Sequence, residues 1–112
     1  YPHLRNAEIE DYGAVYRQIL DYIERLYRDA RLVHADLSEY NILYHEKPYL
    51  IDMGQAVTLD HPRAPAFLIR DIKNLNRYFS RYCDILDEQE IISAITGTEY
   101  REPSRPGEGM QS

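Results

Sequence analysis

Four residues of this chain have types and spacing suited to work on a phosphate group: His34, Asp36, Asn41 and Asp52. A magnesium ion takes oxygen ligands, commonly one or two carboxylates completed by substrate phosphates and water. Asn41 offers an amide oxygen and Asp52 a carboxylate. Asp36 is then left to orient a nucleophilic hydroxyl or water, or to take its proton. Phosphoryl transfer asks for little beyond such positioning and charge neutralisation. His34 reads as scaffold, holding its loop through the ring nitrogens. Taken singly, Asp36 and Asn41 would be ordinary turn residues. Their register with His34 and Asp52 gives the chemical reading its weight.

For these groups to meet, the chain between them must fold back. Ile42-Leu43-Tyr44 and Tyr49-Leu50-Ile51 are β-prone runs separated by the polar linker His45-Glu46-Lys47-Pro48, which predicts a hairpin. The hairpin returns Asp52, eleven residues after Asn41, to its neighbourhood. Pro48 belongs at a turn or strand start, and Gly54 is expected to take positive φ after the second strand. Upstream, Tyr12, Val15, Tyr16, Ile19, Ile23, Leu26, Tyr27 and Ala30 recur at helical steps and predict one helix over 8–30. Its acidic start and basic end suit the helix dipole, while Gly13 weakens the first turn. Residues 32–41 show no period and read as an ordered loop. A second helix is expected from near Pro65 to about Tyr82, with the stripe Leu68, Ile72, Leu75, Phe79 and Tyr82. A third starts at the N-cap Asp87, with Glu90 completing a capping-box pattern, and ends at Gly97. Residues 98–112 read as a flexible tail. The fold class is α+β, mainly α, with one β-hairpin. Its core is Val15, Ile19, Ile23, Leu68, Ile72, Leu75, Phe79, Ile91 and Ile95.

His-x-Asp-x-x-x-x-Asn, then a hairpin, then Asp-x-Gly is the layout of a protein-kinase catalytic loop and metal-binding loop. Leu-Val-His-Ala-Asp-Leu-Ser-Glu-Tyr-Asn-Ile-Leu (residues 32–43) and Ile-Asp-Met-Gly-Gln-Ala-Val (51–57) closely resemble the RIO family of atypical serine/threonine protein kinases. The first subfamily, and its archaeal members, resemble the chain most. His61-Pro62 and the Arg70-Asp71 opening of the second helix fit the same pattern, and the resemblance covers residues 8–95. It implies that 1–97 form the helical C-terminal lobe of a protein-kinase-like fold. It implies Asp36 as the catalytic aspartate, and Asn41 and Asp52 as ligands of Mg2+, or alternatively Mn2+, carrying ATP. Asp52 would also be phosphorylated transiently during ATP hydrolysis. Ser38 stands where ordinary kinases carry a lysine, which places it near the phosphates; a loop serine can equally bond local backbone. Met53 replaces the usual phenylalanine. The short span from Gly54 to Pro65 and the lack of an Ala-Pro-Glu segment leave no room for a long activation loop. The resemblance further implies serine/threonine autophosphorylation or an aspartyl-phosphate ATPase cycle in maturation of the small ribosomal subunit, with the pre-ribosomal particle as partner. A kinase also needs a glycine-rich loop and a strand lysine. None of Gly13, Gly54, Gly97, Gly107 and Gly109 forms such a loop, and the two lysines, Lys47 and Lys73, lie in other segments. The chain is therefore expected to be the C-terminal lobe alone, without its N-terminal ATP-gripping lobe and with negligible turnover by itself.

Composition sets the outer limits. A length of 112 residues allows one domain. Thirteen Lys and Arg against nineteen Asp and Glu give a net charge of −6, a poor match to a generic nucleic-acid binder. Direct nucleic-acid contact is left to Arg101 and Arg105 of the tail, where a solvated tail is the plainer reading. No apolar run approaches the ~18 residues of a membrane span, and no signal-like block follows the start. Opening on Tyr1 rather than methionine suggests a processed or truncated product. The single cysteine, Cys83, excludes a disulfide framework or Cys-rich zinc site and points to the cytoplasm; it reads as a small packing residue. Eleven tyrosines and no tryptophan suggest half-buried packing positions. Two other functions compete. A small-molecule phosphotransferase lobe of the aminoglycoside or choline kinase kind shares the loop, but Ala35 and the short span after Gly54 argue against it. A non-catalytic docking module would keep its function when Asp36 or Asp52 is changed. A lobe this small should be marginally stable and expose an apolar and acidic face where the missing lobe belonged, open to association with a second copy or fragment.

Overall fold

The computed structural model describes residues 3, 4 and 7–97. The tail expectation for 98–112, with Arg101 and Arg105, lies outside the described residues. Helix α1 (Tyr12–Arg28) leads into strand β1 (Leu32–Val33), a 3-10 turn (Glu39–Asn41) and the hairpin β2 (Ile42–His45) and β3 (Lys47–Leu50). A second 3-10 turn (Met53–Gln55), β4 (Val57–Thr58), α2 (Ala64–Phe79) and α3 (Glu88–Thr96) complete the order. The lobe is mainly helical.

Helix α1 is shorter than its apolar period suggested. The Asp11 side chain accepts the Ala14 N–H and caps the helix, so Glu8 and Glu10 precede it. Helix α2 ends at Phe79 rather than near Tyr82, because Arg81 and Tyr82 turn back with N–H bonds to the Tyr78 and Phe79 carbonyls. Helix α3 starts as expected: Asp87 accepts from the Gln89 and Glu90 amides, and Gly97 closes the helix at φ 77°.

The hairpin forms, but with a tighter turn than the linker suggested. Its register pairs Ile42 with Leu50, Leu43 with Tyr49, Tyr44 with Pro48 and His45 with Lys47. Glu46 alone makes the turn, at φ 65°. Pro48 lies inside β3, where a two-stranded sheet tolerates it because each strand has a free edge. Gly54 does not take positive φ; Asp52 does, at 60°. Aspartate tolerates that region better than most residues. The loop reading of 32–41 missed β1, which pairs antiparallel with β4 through Leu32–Thr58 and Val33–Val57. Two-residue strands leave no period to read.

All nine expected core residues are buried, joined by Leu4, Tyr16, Val33, Leu37 and Ile42. Leu37 and Ile42 matter for the site. Leu37 directly follows Asp36 and Ile42 directly follows Asn41, so each of these polar residues is fixed by a buried apolar neighbour. Cys83 is half-buried against this core, and burial pushes its thiol up.

Candidate active site

The loop from His34 to Asn41 is fixed from below by α2. The Asp71 carboxylate accepts the Ala35 N–H at 2.8 Å and the Leu37 N–H at 3.1 Å. Arg70 donates to the Ala35 carbonyl, and Asn74 donates to the Leu37 carbonyl at 3.2 Å. Ala35 is thereby held at φ 71°, a left-handed conformation that costs a non-glycine residue about 1–2 kcal/mol. Strain of this kind persists only where surrounding bonds over-determine it. The result is that Asp36 leaves the loop in one direction, exposed to solvent.

His34 joins this loop to the one that carries Asp52. Its ring is 2% exposed. Nδ1 accepts the Asp36 N–H at 3.2 Å, so Nε2 carries the proton and donates to the Ile51 carbonyl at 2.7 Å. The scaffold reading of His34 is borne out by these two bonds. A third tie runs from the Ile51 N–H to the Asn41 carbonyl at 2.9 Å.

Asn41 and Asp36 meet directly. Asn41 Nδ2 donates to the Asp36 carbonyl at 2.5 Å and approaches Asp36 Oδ2 at 3.5 Å. This orientation turns Asn41 Oδ1, the atom that can ligate a metal, away from Asp36. Asp52 is exposed, and its side chain makes no capping bond to the turn that follows. Its link to Asn41 runs through the Ile51 backbone rather than through side chains. Ser38 Oγ accepts the Tyr40 N–H at 3.2 Å and caps the 3-10 turn. That is the local-backbone role, and it leaves the hydroxyl proton as a donor.

The donor set is small: one carboxylate, one amide oxygen. Among the described residues no group of three His, Cys, Asp or Glu side chains is placed to hold a metal. Two hard oxygen donors fit Mg2+, which keeps several waters and takes the rest of its shell from phosphates. They would not make a closed structural metal site.

A RIO domain family model matches residues 1–91. The chain belongs to the RIO family. It is 48% identical over 90 residues to the RIO-type serine/threonine-protein kinase Rio1 of Thermoplasma acidophilum, covering 80% of this chain and 47% of that one. It is 40% identical over 115 residues to human serine/threonine-protein kinase RIO1, covering 99% of this chain and 19% of that one. The fold matches the Rio2 kinase of Chaetomium thermophilum, crystallised as an ADP/Mg2+-phosphoaspartate complex. There the TM-score is 0.73 at 24% identity, over 98% of this chain and 37% of the other. The chain thus spans about half the length of one RIO relative and about a fifth of the other. Among the described residues no helix is long and apolar enough to cross a membrane.

Sequence reasoning singled out His34, Asp36, Ser38, Asn41 and Asp52. It gave no role to Arg70, Asp71 or Asn74, which hold the RIO loop in place. The available signal was a carboxylate on an apolar stripe: Asp71 follows Leu68 by three and precedes Leu75 by four. A charge at such a position has a partner or is not buried.

Proposed function

We propose that this chain is the C-terminal lobe, over residues 1–97, of a RIO-type kinase or ATPase that moves the terminal phosphoryl group of Mg-ATP. The observation that carries the reading is the orientation of Asn41. Its amide nitrogen is taken up by Asp36, which leaves Oδ1 free as a ligand, and the Ile51 N–H to Asn41 carbonyl bond ties the segment that carries Asp52 to the same loop. Asn41 and Asp52 would hold the metal, which when bound neutralises phosphate charge. Asp36 would orient a hydroxyl or water and accept its proton. Ser38 would offer its hydroxyl proton to a phosphate oxygen.

A second use of Asp52 fits the same place. Its carboxylate oxygen would attack the terminal phosphorus, ADP would leave, and water would then release phosphate and restore the carboxylate. The exposure of Asp52 supports this, as does a neighbour of the same fold captured with ADP, Mg2+ and phosphoaspartate. The working context we infer is maturation of the small ribosomal subunit in the cytoplasm.

The test uses the longest natural form of the protein with Mg2+ and ATP labelled on the terminal phosphate. Unaltered protein is compared with Asp36→Ala and Asp52→Ala. Hydroxylamine-sensitive label that disappears with Asp52→Ala supports the acyl-phosphate cycle. Label confined to serine or threonine supports protein phosphorylation. Absence of label, with biological function surviving both changes, would sink the catalytic reading and leave a docking module.

A further inference from the structure

The segment that leaves Asp52 returns to the Asp36 loop through a cluster of cations. The guanidinium carbons of Arg63 and Arg70 lie 5.3 and 5.0 Å from the centroid of the Phe67 ring. The His61 ring is 5.8 Å from the same ring. His61 Nδ1 accepts the Arg63 backbone N–H at 3.0 Å, which leaves Nε2 for a ligand. Both arginines are exposed.

Neither guanidinium is held in an ion pair among the described residues, although the neighbouring Asp71 carboxylate feels the Arg70 charge. Among the described residues the ion pairs are Arg25–Asp21, Arg28–Glu24, His45–Glu46 and Lys73–Glu88, and none uses Arg63 or Arg70. The adjacent carboxylates make their hydrogen bonds to other groups. Asp71 takes the Ala35 and Leu37 amides, and Asp60 accepts the Thr58 hydroxyl. Each guanidinium rests against the Phe67 ring, an attraction that places both cations beside one aromatic side chain. An external anion would be attracted to both. No side chain caps the N-terminus of α2 at Arg63 either, so the helix dipole adds to the same field.

Position gives the cluster its meaning. Arg70 also donates to the Ala35 carbonyl, one residue before Asp36. A group held by Arg63 and Arg70 would therefore lie against the loop that carries Asp36. We propose that Arg63, Arg70 and His61, gathered on Phe67, form a recognition site for a phosphorylated serine or threonine on a protein segment docked beside that loop. Guanidinium forks match phosphate oxygens in pairs, and two of them suit a doubly charged group. A single compact cluster on an acidic chain reads one phosphate, whereas RNA affinity comes from many cations along a backbone. The role as an acceptor subsite rests on the phosphoryl-transfer reading; the docking itself does not.

The test follows amide and guanidinium resonances by NMR in isotope-labelled protein. The probes are a short neutral peptide with one phosphoserine, the same peptide with serine, inorganic phosphate and a short single-stranded RNA. The phosphopeptide should shift the Arg63, Phe67 and Arg70 signals saturably, about tenfold more tightly than the serine peptide. The Arg63 side chain makes no hydrogen bond among the described residues, so Arg63→Gln should weaken binding about tenfold and leave the remaining spectrum in place. Arg70→Lys keeps the charge but loses the fork, and should weaken it too. The exposed Arg81→Gln should change nothing. Equal loss with Arg81→Gln would reduce the effect to bulk charge and overturn the proposal. So would inorganic phosphate binding as tightly as the phosphopeptide, or RNA moving the same signals more tightly. ATP labelling can fail while these shifts persist, so the two readings fail separately.

Discussion

Asp71 is a carboxylate that is 1% exposed and carries two backbone N–H bonds. Both of its oxygens act as acceptors, one for Ala35 and one for Leu37. The amide in Asp71→Asn keeps one acceptor and turns a donor toward the other N–H. We expect this substitution to cost about 1–3 kcal/mol, the price of a buried unsatisfied amide. Amide exchange should rise at Ala35 and Leu37 first. Burial holds the Asp71 carboxyl above its ordinary 3.8, against the opposing effect of the two amides, His34 and Arg70. The folded state therefore keeps this proton more tightly than the unfolded chain. The stability Asp71 contributes falls as pH rises from about 3.8 through the raised value. The asparagine has no proton to lose. The gap between the parent and Asp71→Asn should thus be widest in acid and narrow as pH climbs, which denaturant melts at several pH values would check. A gap that widens with pH would contradict this account. The residues that emerge toward solvent, Asp36 and Asp52, were legible in the sequence because their spacing is a chemical pattern. Asp71 was not, because its partners are backbone groups more than thirty residues away, and nothing in local spacing records them.

At the scale of elements, period and capping chemistry carried the reading. Helix α3 shows why. Asp87 satisfies two orphan amides at one end, and Gly97 takes the left-handed turn at the other. Both signals are local, so both could be read. What could not be read is that Arg28, from the last turn of α1, closes that same end. It donates to the Ile95 and Ala94 carbonyls at 3.0 and 2.8 Å. A Cβ built on Gly97 would come within 3.1 Å of Arg28 Nη2. Gly97→Ala should therefore cost about 1–2 kcal/mol from the left-handed backbone alone, with a further loss if Arg28 is displaced. Combining it with Arg28→Ala gives the check. If crowding matters, the double variant loses less than the sum of the two. The hairpin and β1–β4 mark the other limit. Turn length and two-residue pairings are set by tertiary contacts, and Pro48 inside β3 goes against its local preference.

Across the whole molecule, one buried polar network holds the three helices in register. Tyr16 of α1 donates its hydroxyl to Asn76 Oδ1 of α2 at 2.6 Å. The Tyr16 hydroxyl oxygen in turn accepts the Leu86 N–H at 3.1 Å, and Asn76 Nδ2 donates to the Leu86 carbonyl at 3.0 Å. Leu86 lies in the connection that delivers α3. The network is closed, and among the described residues no buried side-chain polar atom lacks a partner. Tyr16→Phe keeps the ring in the core beside Phe79, 5.3 Å between centroids, and removes only the oxygen. It leaves Asn76 Oδ1 and the Leu86 amide without partners, so we expect a loss of about 1–3 kcal/mol. Adding Asn76→Leu removes one orphan, and the double variant should lose less than the sum. Alkali gives a second readout. Burial pushes the Tyr16 phenol above its ordinary 10.0, with Cys83 adding and the Leu86 bond opposing. The folded state holds this proton more tightly, so the parent loses this contribution as pH rises from about 10 through the raised value. Tyr16→Phe has no such proton. The stability gap between the two should shrink in that window, and a gap that stays constant there would mean the phenol is not buried in this network. The same network sets how firmly α2 stands under the Asp36 loop. Amide exchange at Ala35 and Leu37 in Tyr16→Phe would measure how far helix register reaches the site.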